Sequence, residues 1–135
     1  MNSYYVEIPM TPVAKARART SNGHAYTPEK TKAAEEMIKI YLQANHAPLF
    51  KGAVSVHLIF DFIRPKSVSQ KREYPTVVPD LDNLTKLVLD AANKILWDDD
   101  SQIVQIYAGK RYALKASITI MVKQMVSIRR SDGEL

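Results

Sequence analysis

Residues 53–63 read AVSVHLIFDFI. Val54, Val56, Leu58, Phe60 and Phe62 alternate with Ser55, His57, Ile59 and Asp61, and side chains two apart on an extended chain point the same way. The spacing predicts a strand with one strongly apolar face, which needs helices to cover it. The flanking sequence supplies two. Upstream, Pro28 sits where helices often begin, with Thr27 as N-cap and Glu29 in the first turn. Ala34, Met37, Ile38, Tyr41 and Leu42 then form one stripe, running to about Ala44. Downstream, Leu84, Leu87, Val88, Ala91 and Ile95 share an arc of a helix from about Asn83 to Leu96, widened by Leu89, Ala92 and Leu96. So wide an arc predicts burial on two sides, against the sheet and against a second subunit.

Three further strands are expected, YYVEI (4–8), IVQIYAGKRY (103–112) and ASITIMVK (116–123), the last two joined as a hairpin. The order β-α-β-α-β-β predicts an α+β fold, a small mixed sheet with helices packed on it. A chain of 135 residues suits one domain. The expectation is a single domain over 1–135, with basic loops at 13–27 and 64–79 and a flexible tail at 127–135. There is no cysteine, hence no disulfide framework and no thiolate metal site. The opening MNSYYVEIPM lacks the pattern of a secretory signal. No apolar run approaches the roughly 20 residues a membrane-spanning helix requires. A cytoplasmic protein without membrane contact or organic cofactor is expected.

Charge is distributed unevenly. Residues 80–100 hold six of the fourteen acids against two bases, a local balance of −4, whereas the whole chain carries +5. From Ser101 to Ser131 there are six bases and no acid. A basic body with one acidic focus suits a protein that binds a polyanion and performs metal chemistry on it. The alternative is a chain whose charges are merely uneven.

Local geometry groups the acids. Asp80-Leu81-Asp82 follows Pro79 and is expected to be extended, with both acids on one side and Asp82 at the helix start, where the dipole favours an anion. Residues 82, 86 and 90 are spaced i, i+4, i+8, so Asp82, Lys86 and Asp90 climb one helix face. Asp98-Asp99-Asp100 lies beyond the helix end, about 20 Å away if the chain runs straight on. It joins the first pair only if the chain folds back. Converging carboxylates suit Mg²⁺ or Mn²⁺, which take oxygen ligands and water. Zinc is disfavoured, since His24, His46 and His57 are scattered. Taken singly, an acid before a helix is usually a cap, and a run of aspartates in a turn is usually only solvated.

Taken together, Asp80-Leu81-Asp82-Asn83-Leu84, Lys86, Asp90-Ala91, Trp97 and Asp99-Asp100-Ser101-Gln102 resemble the RusA family of Holliday-junction resolvases. Pro12 to Arg19 (PVAKARAR) and Tyr26-Thr27-Pro28 are similar to the family's N-terminal elements, so the resemblance spans about residues 4–123. It implies a homodimeric, Mg²⁺-dependent endodeoxyribonuclease, nucleoid-associated, that nicks branched DNA symmetrically in recombination and repair. By the same resemblance Asp80, Asp82 and Asp100 match the metal-binding catalytic acids, Lys86 an essential lysine, and Asp90 a further aspartate that either pairs with Lys86 or solvates the helix. Three consecutive aspartates stand where many relatives have two, so Asp99 is the alternative ligand to Asp100.

For DNA contacts, Lys15, Arg17 and Arg19 alternate with alanine and line one side of an extended loop. Lys66, Lys71 and Arg72 populate the second loop, and Lys110 with Arg111 lies on the third strand. Tyr26 and Tyr74 are candidates for base stacking or ordinary packing, and His57 is read as structural. The competing functions are a non-catalytic basic DNA-binding module and a related nuclease acting on flaps.

Overall fold

The computed structural model describes residues 2–16, 19–21, 23–26 and 28–126. Arg17, Thr27 and the tail 127–135 lie outside the described residues, as do the side chains of Arg19 and Tyr26. The elements are β1 (Ser3–Ile8), β2 (Arg19–Ser21), β3 (His24–Tyr26), α1 (Glu29–Ala44), β4 (Val54–Ile63), α2 (Leu81–Ala92), a 3-10 turn (Asp100–Gln102), β5 (Ile103–Ala113) and β6 (Ser117–Gln124). The chain is α+β, a mixed four-stranded sheet with two helices in the expected order. One addition falls in the segment expected to be a loop. β2 and β3 pair antiparallel as a small ribbon turning through Gly23 (φ 81°), and the Asn-Gly pair at 22–23 is the hairpin signal that marks it.

β4 is the spine of the sheet, whose strand order is β1-β6-β4-β5. Val54, Val56, Leu58 and Phe60 are fully buried, and their partners across β6 include Val122, Ile120 and Ile118. The apolar face read from residues 53–63 is therefore the floor of the core. Ala34, Ile38 and Leu42 of α1 and Leu84, Leu87, Val88 and Ala91 of α2 pack into the same core. Most of the broad arc of α2 is thus covered within one chain, by the sheet and by α1, while Leu89 stays partly exposed and lines the cleft described below. Replacing Leu58 with Ala is expected to cost about 2–5 kcal/mol of stability, read as a lower urea midpoint with an unchanged slope.

β5 and β6 are not a hairpin. β6 runs antiparallel between β1 and β4, while β5 pairs parallel with β4 on its other side, and the link 114–116 carries the chain past β4. Burial explains the choice. Ser117 to Ile120 are buried without a break, which suits a strand with neighbours on both sides, whereas β5 carries exposed Gln105 and Arg111. Polar and charged side chains suit a sheet edge. The parallel pair requires a long crossover, and that crossover contains α2.

Candidate active site

α2 starts earlier than its periodicity predicts. Asp80 occupies the N-cap with extended backbone (φ −72°, ψ 143°) and no side-chain capping bond, so Asp82 already lies in the first helical turn. The two acids therefore do not share one extended face. Asp82, Lys86 and Asp90 do climb one side of α2, and that side walls a cleft of about 580 Å³ whose lining also includes Asp100 and, from β5, Ala108. Asp80 stands at the end of the helix, outside the lining.

Asp100 reaches the cleft because the chain folds back. The helix stops at Ala92, and Lys94 takes a left-handed conformation (φ 73°) with its N–H donating to the Trp97 carbonyl at 2.7 Å. Leu96 and Trp97 are fully buried in this turn. Their burial extended the apolar period beyond the true helix end.

The three consecutive aspartates have three different settings. Asp98 pairs with Lys51 at 2.9 Å on the surface. Asp99 caps the 3-10 turn, accepting from the Ser101 N–H at 3.0 Å. Hydrogen bonds from Ser101, side chain first and backbone second, hold its carboxyl below the usual aspartate range. Asp100 lines the cleft, with Oδ1 accepting from the Trp97 indole N–H at 2.9 Å.

Gln102 holds this turn to the rest of the protein. Its Oε1 accepts from the backbone N–H groups of Asp98 and Asp99, at 2.8 and 3.0 Å. Its Nε2 donates to the carbonyls of Phe50 and Gly52, at 3.0 and 2.9 Å. Sequence reasoning gave neither Trp97 nor Gln102 a role. The available signal was their place in the family motif quoted above, and the bonds they make are of the kind that orient ligand carboxylates.

Asp90 is paired with Lys15 (3.2 Å) rather than with Lys86, and Lys15 also binds Glu35 of α1 at 2.8 Å. Burial works against the Lys15 charge, but the hydrogen bonds to Glu35 and Asp90 outweigh it and hold the ammonium above the ordinary lysine range. The Lys15 N–H also donates to the Asn83 carbonyl at 2.9 Å, so this residue clamps the N-terminal segment across α1 and α2. Lys110 is likewise engaged inside the chain, donating to the carbonyls of Val77 and Pro79 at 2.7 and 2.8 Å and so fixing the approach to Asp80. Arg111 binds the buried Asp61 at 2.6 Å. Lys66, Lys71 and Arg72 are exposed on the 64–79 loop, as is Tyr74. That loop is folded rather than featureless, since Arg64 donates to Gln70 at 3.0 Å and to the Arg72 carbonyl at 2.7 Å.

The cleft has the chemistry of a hard-cation site, with all-oxygen donors and an ammonium beside them. Asp82 and Asp100 share it. Among the described residues, no group of three His, Asp or Glu side chains stands close enough to hold an ion together, and Asp80 is the acid left outside. Among the described residues, Lys86 makes no ion pair within 4.0 Å, which leaves its charge available to an anion in the cleft. No helix among the described residues is long and apolar enough to cross a membrane.

A protein of Bacillus subtilis (strain 168) described as uncharacterized protein YqaN is 32% identical over 130 residues, covering 84% of this chain and 91% of that protein. The family model described as endodeoxyribonuclease RusA matches residues 9–123, a span that holds every acid of the cleft, Lys86 and the Trp97–Gln102 support. The chain belongs to the RusA family of endodeoxyribonucleases.

Proposed function

We propose that residues 1–135 form a single nuclease domain that resolves four-way (Holliday) DNA junctions by paired symmetric nicks, with Mg²⁺ as cofactor and Mn²⁺ able to replace it. The observation that carries this reading is the fold-back that brings Asp82, Lys86 and Asp100 to one cleft. Asp82 and Asp100 would be the ion's ligands in the cleft, and Asp80, which stands outside the lining with a carboxylate not used for capping, would complete the set only by moving toward them. Asp100 is preferred over Asp99 because Asp99 is occupied as a cap. A divalent ion held there would supply an acidified water for attack on phosphorus and would offset phosphate charge. Lys86 faces the phosphoryl oxygens and stabilises the charge they gain. Lys66, Lys71 and Arg72 neutralise flanking phosphates, so binding weakens steeply with salt.

The enzyme acts as a homodimer, since a C2 pair offers two matched clefts to a junction of two-fold symmetry. Its place is the cytoplasm, at the nucleoid. The test is cleavage of synthetic four-way junctions, flaps and linear duplex, each with Mg²⁺ or with EDTA. Symmetric nicks confined to the junction and abolished by EDTA are expected. Equal cutting of flaps would reassign the substrate, and no cutting of any DNA would return the chain to a binding module.

Trp97 has a defined part in this scheme. Replacing it with Phe keeps most of the buried ring and removes the N–H that aims Asp100. Partners behind ligand carboxylates are typically worth about 10–100-fold in metal affinity. Trp97→Phe is therefore expected to raise the Mn²⁺ concentration needed for half-saturation by about that factor, measured by Mn²⁺ electron paramagnetic resonance without DNA.

A further inference from the structure

The two helices cover one face of the sheet, and the other face carries a row of side chains with no part in the cleft. Tyr5, Met121, His57 and Tyr107 are consecutive partners across β1, β6, β4 and β5. Tyr5 and Tyr107 are 60% and 58% exposed, which is unusual for rings in the middle of strands. His57 leans on Tyr107, with ring centroids 4.6 Å apart and planes tilted by 44°. Tyr5 and His57, on strands either side of β6, wall a groove of about 280 Å³ that Met121 floors, and Lys123 stands at its end.

The surroundings of the row indicate what it takes. Its neighbour on one side is Ser3–Lys123–Ser55–Gln105, and on the other Glu7–Thr119–Ile59–Gly109. An apolar stripe one residue tall between mostly polar rows is too narrow for the core of a protein–protein interface, whose centre is a broad apolar patch. It is the right height for flat rings laid across a sheet, as when aromatic side chains of a four-stranded sheet stack unpaired bases. The charges of this face are separated along it. Among the described residues Lys123 is in no ion pair, Asp61 is held by Arg111 and Ser117, and Glu7, on the far side of the row from Lys123, accepts from the Tyr5 hydroxyl at 3.4 Å.

Position agrees as well. Successive residues of β5 point to opposite faces, so Ala108 lines the cleft and Tyr107 joins the row. Only the edge strand separates the two.

We propose that this row is a stacking platform for unpaired bases of branched DNA, with Lys123 holding an adjacent phosphate. The proposal rests on the reading of the chain as an enzyme of branched DNA and adds a second contact surface to it. It is tested in EDTA, where nothing is cut, with a single-stranded oligonucleotide carrying 2-aminopurine and a linear duplex for comparison. Tyr107→Leu and Tyr5→Leu keep apolar area and remove the ring. Each is expected to weaken single-strand binding roughly 5- to 150-fold and to lose the fluorescence quenching of stacking, with duplex binding unchanged. Lys123→Gln is expected to lower the slope of log affinity against log salt by about 0.7, with quenching retained.

Unchanged single-strand affinity in the tyrosine variants would overturn the proposal. So would light scattering that shows those variants breaking an oligomer into monomers, since a second copy would then occupy the face. Failure of the wild type to cut any DNA sinks the reading of the cleft and leaves quenching in place, whereas a wild type that cuts junctions but does not quench 2-aminopurine sinks only the platform.

Discussion

Asp82→Asn is expected to abolish junction cleavage while leaving junction binding intact or tighter. The substitution preserves shape and removes one unit of charge from the wall of the cleft. An ion's stabilisation of a phosphoryl transition state is worth several kcal/mol, and each ~1.4 kcal/mol is tenfold in rate. Loss of a ligand carboxylate should therefore cost about a thousandfold or more. Binding should not fall, because a negative charge near phosphate has gone. The informative control is Asp98→Asn, an equally acidic neighbour that only pairs with Lys51 on the surface and is expected to cut within a few-fold of wild type. Equal loss in both variants would mean that the general negative potential of the segment matters, not a ligand. Both rates come from single-turnover cleavage of a labelled junction at saturating enzyme.

Lys86→Ala is the second large effect expected, about 10²–10³-fold in the cleavage rate constant, the size found when one preorganised charge donor is removed from a reacting centre. Lys86 stands one helical turn from Asp82 on the same wall of the cleft. A role in the transition state predicts a fall in the rate at saturating DNA, with a small change in affinity. Simple phosphate anchoring predicts the reverse, with unchanged rate at saturation and a shallower salt dependence. Lys86→Arg retains the charge with a different fork and should recover part of the rate. The Lys15–Asp90 pair supports separating these two roles, since the aspartate one turn above Lys86 is engaged by another cation.

Much of this was legible in the sequence because it is local. Alternation identified β4 and its buried face, and helical spacing put Asp82, Lys86 and Asp90 on one side of α2. The errors share a cause. Ile95 and Leu96 continued the helical period because burial alone does not distinguish a helix from a buried turn, and α2 stops at Ala92. The expected hairpin of β5 and β6 failed because alternation marks a strand without naming its neighbour. For the expected DNA contacts Lys15, Lys110 and Arg111, the sequence does not show the partners that lie beside them, namely Glu35, the carbonyls of Val77 and Pro79, and Asp61.

By itself the sequence determined the α+β class, the family, and which few residues carry charge into one helix face, since each depends on neighbours within a turn or a strand. The family resemblance favoured Asp100 with Asp99 as the alternative, and only the tertiary structure shows how Asp100 comes to line the cleft while Asp99 caps the turn. That arrangement rests on Gln102 gripping Phe50 and Gly52, some fifty residues away, and on the buried Trp97 turning its N–H toward Asp100. Contacts between distant segments form only once the core has packed, and no local pattern encodes their direction.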